Sequence, residues 1–271
     1  MKKKIERALA PTSIGQVHYL ACGTGAPVLL LHINQQSSML YQEMMEAFAP
    51  GFRCIAPDYP SYGFSDPFET EPEVRDFARV MIELMDHLGI EKFNIIGEAF
   101  GTLLATELAR SHPHRVARML FLNCPFTPEH DRSADVTQAQ RPVDADGFPM
   151  TRTLQYVLAN DAMHAPMNPT QSWMDRVNKS NVLAGRNSRH ALDALWRYDF
   201  ASSLRAIACP VEVLVGEHFY YAKYADALSE HLGGAPVLIQ SGARFCLGWE
   251  RAAEVAAHAA GFFSRATASA G

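Results

Sequence analysis

Little in this sequence suits a scaffold held by covalent or metal links. Its 271 residues include five cysteines, Cys22, Cys54, Cys124, Cys209 and Cys246, an odd number, widely spaced and without a Cys-x-x-Cys pair. That pattern argues against a disulfide framework and a thiolate zinc site, and it predicts a reducing compartment. His112 and His114 flank Pro113 with no third ligand nearby, so they read as surface residues and no metal or other cofactor is expected. Clustered positive charge is also missing. Lys and Arg total 24 against 29 Asp and Glu, a net charge of −5, and the one basic run is Lys2-Lys3-Lys4, so nucleic acid is not an expected partner. The most apolar short run, residues 27–31, is a strand's length, far below the roughly 20 residues that cross a bilayer. No apolar stretch of signal-peptide length follows the first lysines, and the expectation is a soluble, cytoplasmic protein with no membrane partner. Internal repeats and low-complexity segments are absent. What is present is 48% apolar and 20% charged residues, enough for a large core, and the length suits one α/β domain carrying an insertion.

Short β-rich runs alternate with stretches of helical period, which predicts a mostly parallel central sheet flanked by helices. Residues 16–22 alternate like an edge strand, and Gly23-Thr24-Gly25 turns the chain into the buried run 28–31. A helix over 38–48 and a strand over 52–57 follow. Val74, Phe77, Val80, Met81 and Leu84 recur at helical spacing within 71–88. Then come a strand at 93–96, a helix at 100–111 and a strand at 119–122. Between 125 and about 206 the rhythm breaks, with helices expected near 150–162, 171–183 and 189–204 and no strands between them. The reading is a core of residues 1–125 and 206–271 and a helical cap insertion of 126–205. Alternation resumes with a strand at 211–215, a helix near 221–232, a strand at 237–240 and a closing helix near 252–263.

Three stretches then carry a resemblance. Leu29-Leu30-Leu31-His32 is followed by Ser37-Ser38. Asp58-Tyr59-Pro60-Ser61-Tyr62-Gly63-Phe64-Ser65-Asp66 is similar to the loop D-x-P-G-x-G-x-S-D, with Ser61 in place of a glycine. Ile95-Ile96-Gly97-Glu98-Ala99-Phe100-Gly101 sits between a strand and a helix, where the nucleophile elbow G-x-S-x-G belongs. In this order, with Gly216-Glu217-His218 and Gly242-Ala243-x-Phe245 after them, they resemble the α/β-hydrolase superfamily over nearly the whole chain. The fold implied is the α/β-hydrolase fold with an inserted helical cap.

The same resemblance marks three slots for a nucleophile, an acid and a base, because a serine hydroxyl is inert until an oriented imidazole takes its proton. Here they hold Ala99, Phe219 and Arg244, and the alternative place for the acid holds Asn123. Alanine has no nucleophilic atom, and a guanidinium stays protonated at any working pH. The expectation is a degenerate triad. Gly97 and Gly101 serve the backbone turn rather than the serine, so the turn is expected to survive, with N–H groups of Phe100 and of Ile33 or Asn34 facing one pocket. Asn34, Gln35 and Gln36 give that loop an amide-rich character suited to orienting a polar ligand, or to capping the loop.

Arg244 is read either as an inward charge for a carboxylate or as a surface residue paired with Glu217 or Glu250. His218, one residue before the lost acid, is the candidate acid/base if it faces the pocket, while His32 is expected to brace the oxyanion loop. Cys246 reads as a small buried side chain, Glu98 as a structural hydrogen-bonding group, and Asp58 and Asp66 as loop stabilisers. Glu129, His130 and Asp131 read as a solvated cluster. Met150, Met163, Met167, Trp173, Met174 and Trp196 read as an apolar roof or packing.

Three functions are compatible with these residues. One is an enzyme without a serine nucleophile, a lyase, isomerase, cyclase or unusual hydrolase, acting on a small carbonyl or carboxylate compound with Arg244 and His218 as catalytic groups. The second is a non-catalytic binder or sensor of such a molecule. The third is an ordinary ester hydrolase whose triad lies elsewhere. A homodimer is left open.

Overall fold

The computed structural model describes residues 4–34, 36–48, 50–128 and 143–265. Eight strands form one sheet in the order β1-β2-β4-β3-β5-β6-β7-β8. They span Glu6–Thr12 (β1), Gly15–Gly23 (β2), Gly25–Leu31 (β3), Gly51–Pro57 (β4), Phe93–Glu98 (β5), Val116–Leu122 (β6), Val211–Gly216 (β7) and Val237–Gln240 (β8). β2 runs antiparallel to both β1 and β4, and every other pair is parallel. The expected parallel core is therefore present. One detail differs, because residues 16–22 are not the edge strand. β1 lies outside them, pairing Ala10 with Val17 and Leu9 with His18.

The central strands are buried on both faces, and this explains their unbroken apolar runs. Val28, Leu29, Leu30 and Leu31 of β3 and Ile95 and Ile96 of β5 have no exposure at all. Helices α1 (Gln42–Ala47), α2 (Val74–His87), α3 (Phe100–Ser111) and α10 (Ala252–Phe263) cover the sheet, with α1 packed on α10 and α2 on α3. Val74, Phe77, Val80, Met81 and Leu84 form the buried face of α2, as their spacing predicts. Tyr59, Phe77 and Phe100 meet edge to face at 5.4–5.9 Å and fix the start of α3 against α2 and the Asp58 loop.

Between β6 and β7 the described residues carry helices α4 (Leu154–Asn160), α5 (Gln171–Ala184), α6 (His190–Arg197) and α7 (Phe200–Leu204). The continuous helix expected over 189–204 is broken at Tyr198, which is extended at ψ 127°, and Asp199 caps the next turn by accepting from the Ser202 N–H. This inserted segment is tied to the core by polar bonds. Arg176 donates to both oxygens of Glu43 at 2.6 and 2.7 Å, Ser37 and Ser180 share a bond of 2.9 Å, and the Tyr62 hydroxyl donates to Ser188 O and accepts from the Ala191 N–H. After β7 come α8 (Ala225–His231), β8 and the short α9 (Leu247–Glu250). None of the five cysteines forms a disulfide, and no helix among the described residues is long and apolar enough to cross a membrane.

Candidate functional site

The ends of β3, β5, β6 and β7 meet where a parallel sheet opens at its C-terminal edge, the usual position for a ligand site in such folds. The turn from β5 into α3 is the tightest element there. Ala99 adopts φ 49° and ψ −112°, a strained conformation for any residue with a side chain. Packing imposes it. A Cβ on Gly101 would lie 2.1 Å from Leu31 O, and one on Gly97 would lie 2.4 Å from Gly101 O. Ala99 itself is held by its N–H to Leu122 O and by its carbonyl, which accepts from the Thr102 N–H and hydroxyl at 2.9 and 2.7 Å. The turn expected from the two glycines is thus present around an alanine methyl that is 5% exposed. Phe100 opens α3, and its N–H has no acceptor among the described residues.

Beneath this turn lies a polar knot. Glu98 is fully buried and accepts from Leu247 N–H (2.7 Å), Gly248 N–H (3.1 Å) and Asn123 Nδ2 (3.1 Å). Burial pushes its carboxyl up to about 7 against the pull of those three donors. The Asn123 Oδ1 accepts from Gly216 N–H at 3.0 Å. One carboxylate and one amide therefore join the ends of β5, β6 and β7 to α9. Glu98 and Asn123 are structural, as the sequence suggested for Glu98.

The loop after β3 is braced in the same manner. His32 is fully buried, its Nδ1–H donates to Ile33 O at 2.7 Å, and its Nε2 accepts from Tyr59 N–H at 3.2 Å. Its ring stacks on Tyr59 at 3.7 Å, and burial lowers its pKa to about 4, so the neutral form braces the loop. Ile33 is buried and Asn34 partly buried; Gln35 lies outside the described residues, as do Glu129, His130 and Asp131. The Gln36 amide reaches the Cys246 sulfur at 3.8 Å. In the next loop Asp58 accepts from His18 Nδ1, Ser38 N–H and Phe64 N–H. Burial opposes its ionisation, but these bonds outweigh that cost and hold its carboxyl below the ordinary value. Ser61, in the motif's glycine position, takes φ 74° and hydrogen-bonds His190 of the inserted segment at 3.0 Å.

The structure places the other predicted residues differently from one another. Phe219 is buried and its ring stacks on Phe245 at 5.8 Å. His218 is a correction. Its side chain is 52% exposed beside Glu217, because the chain turns outward after Gly216 and returns inward only at Phe219. Arg244 follows neither expected course. Its Nε and Nη2 donate, each at 3.0 Å, to the carbonyl oxygens of Ala165 and Pro166 in the inserted segment. Glu250, six residues on, accepts from the Met167 and Asn168 N–H groups at 3.0 and 2.7 Å. Four consecutive backbone groups are thereby gripped by one cation and one anion.

Sequence reasoning named Glu250 only as a partner for Arg244, and it passed over Asp161 and His164. The last two form a hydrogen-bonded pair in the inserted segment, and their i, i+3 spacing was the available signal. A separate cleft of about 380 Å³ lies between α2, α3, α6 and α7. Its Arg110 and Tyr198 already bond Glu107, and its Arg197 bonds Glu71, so it offers no comparable open donors. No cluster of three or more metal-binding side chains occurs among the described residues.

Residues 26–190 match the profile of a family described as alpha/beta hydrolase fold. Haloalkane dehalogenase 2 of Mycobacterium tuberculosis is 36% identical over 118 residues, which is 43% of this chain and 41% of that protein. The chain thus aligns with about two-fifths of the length of that relative. A broader match is the (E)-2-((N-methylformamido)methylene)succinate hydrolase of Acinetobacter baylyi, 24% identical over 78% of this chain and 80% of that one. Among solved structures, carboxylesterase CesB from Bacillus subtilis superposes with a TM-score of 0.81 at 20% identity, covering 97% of this chain and 93% of that one. At that identity the likeness concerns the fold.

Proposed function

Because this chain belongs to the alpha/beta hydrolase fold family, whose matched relatives are enzymes, we propose that it acts on a small molecule bearing a carbonyl or carboxylate oxygen, without a serine nucleophile. The supporting observation is the strained turn at Ala99. Its geometry and the unpartnered Phe100 N–H persist although residue 99 carries no attacking atom. A strained conformation costs on the order of 1–3 kcal/mol, and a site that holds an oxygen gives that conformation a use. The positive end of α3 adds to the attraction for an anionic oxygen. In this reading the Phe100 N–H, with the Ile33–Asn34 backbone, binds and polarises the oxygen. Arg244 is a positioning residue, since its guanidinium is engaged with Ala165 and Pro166.

The test pairs binding with turnover. Saturation-transfer NMR with butyrate is expected to show saturable binding to the purified protein. p-Nitrophenyl butyrate is expected to be hydrolysed no faster than in a matched albumin control. Sustained, serine-type turnover of that ester would restore the ordinary-hydrolase reading, and absence of butyrate binding would remove the proposed pocket. A binder without turnover is the second reading. It draws on the outward His218 and the engaged Arg244, the two groups first expected to do chemistry.

A further inference from the structure

We propose that the proton-moving group of this site is His164, delivered by the inserted segment in place of the imidazole that the loop between β8 and α9 lacks. The inference rests on the reading above, in which a carbonyl or carboxylate oxygen sits beside Ala99.

The first support is the pair itself. His164 Nδ1 lies 2.5 Å from Asp161 Oδ1, and the other Asp161 oxygen accepts from Arg152 Nη1 at 2.5 Å. The Arg152 side chain is 5% exposed, so the carboxylate is anchored from within. Burial works against ionisation of Asp161, yet the bonds from His164 and Arg152 prevail and hold it below its ordinary value. An ionised carboxylate on Nδ1–H fixes the tautomer and leaves the lone pair on Nε2. Nε2 has no partner among the described residues, and the side chain is 37% exposed, so a small molecule can reach it.

The second support is where the pair is held. The His164 ring stands edge-on to Phe245, 6.0 Å between centroids at 84°. Phe245 lies between Arg244, in the slot for the base, and Cys246, whose sulfur meets the Gln36 amide of the oxyanion loop. Leu247 and Gly248 donate to Glu98, the residue before Ala99. A run of five residues, 244–248, therefore touches His164 at one end and the elbow at the other. The residues directly after His164 are those gripped by Arg244 and Glu250. The loop that would present a histidine instead holds the neighbouring loop that does.

The chemistry needs no outside reactant. Nε2 takes a proton from the carbon next to the bound carbonyl, the C–H pair becomes the C=C bond, and the carbonyl π pair moves onto the oxygen held by the Phe100 N–H. In a β,γ-unsaturated carbonyl compound the proton returns to the γ-carbon, where the old Cβ=Cγ pair forms the new C–H bond. The oxygen pair re-forms the C=O, the double bond ends at Cα=Cβ, and Nε2 is free again, which completes an isomerisation.

Ala99→Ser offers a test that does not require the natural substrate. If His164 faces the elbow, the new hydroxyl passes its proton to Nε2 while attacking p-nitrophenyl acetate, and p-nitrophenolate leaves. Release is expected to exceed wild type by about 100-fold, a typical general-base contribution, and to return to the wild-type rate in Ala99→Ser/His164→Gln. A folded Ala99→Ser variant no faster than wild type, or one equally fast with His164→Gln, overturns the proposal. Should the serine variant fail to fold, carbethoxylation of wild-type His164 by diethyl pyrocarbonate decides. Slowing by saturating butyrate supports the role, and an unchanged rate overturns it. Butyrate binding read by NMR alongside separates the two claims. Binding with an inert serine variant removes His164 and keeps the pocket, whereas a His164-dependent variant without butyrate binding removes the carboxylate reading and keeps His164.

Discussion

Two loops at the same edge of the sheet are held in opposite ways. The turn at Ala99 is shaped by contacts between backbones, Gly101 against Leu31 and Gly97 against Gly101, and its form does not depend on the side chain at 99. The stretch 244–250 is instead fastened by side chains, with Arg244 and Glu250 reaching across to the inserted segment. The first kind of loop keeps its shape when a functional residue is replaced. The second takes a new partner when its residues change. The turn at Ala99 thus carries its shape in its own backbone, whereas the 244–250 stretch depends on what its side chains reach.

The largest break in the comparison is expected from Gly101→Ala. The added methyl would meet Leu31 O at 2.1 Å, a backbone atom that cannot yield cheaply. A loss of about 3 kcal/mol or more in urea unfolding is expected, despite alanine's better helix propensity. A loss below about 1 kcal/mol would show that the turn tolerates what its packing forbids.

Next is the knot that couples the two loops. The Glu98 carboxyl is raised from 4.5 to about 7 in the fold, so it contributes stability below its unfolded pKa that fades as pH rises through 7. His32 is depressed from 6.5 to about 4, so its contribution is present above 6.5 and lost as pH falls toward 4. Between about pH 4.5 and 6.5 the two slopes oppose each other, and wild-type stability should change little. Glu98→Gln removes the first slope. Its stability should then fall by about 2–3 kcal/mol on acidification across that window, read from urea melts at each pH. An unchanged flat profile would show that Glu98 does not titrate there.

The smallest effect is expected at the fastening. Arg244→Met keeps most of the volume and loses two bonds to carbonyls, at a cost of about 1–2 kcal/mol. Limited proteolysis should speed up within 160–170, while the cutting pattern around residue 99 stays as in wild type. Equal loosening at both places would erase the distinction between the loops.

Most of the sheet was readable because its central strands are buried on both faces and so write themselves as unbroken apolar runs, such as Val28 to Leu31. β1 was not, since Glu6, Arg7, Ala8 and Leu9 pair on one side only and carry no such run. The elbow could be placed from Gly97 and Gly101, whose need is local. The partners of Arg244 could not, because both are main-chain carbonyls, and a backbone acceptor leaves no mark in a sequence. His218 misled because neighbours at a strand end differ in direction once the strand stops. His164 escaped notice because the ring it meets, Phe245, lies on a loop distant in sequence.

The grip on residues 165–168 has one more consequence. Arg244 and Glu250 read mainly peptide groups, which nearly every amino acid supplies, with the Asn168 amide adding one side-chain contact. These contacts leave the side chains of 165–167 unread, so packing alone limits them, tightly at buried Ala165 and Pro166 and less at Met167, whereas the two readers are constrained together. Relatives that have lost one of the pair should have lost the other, whatever their intervening segment spells.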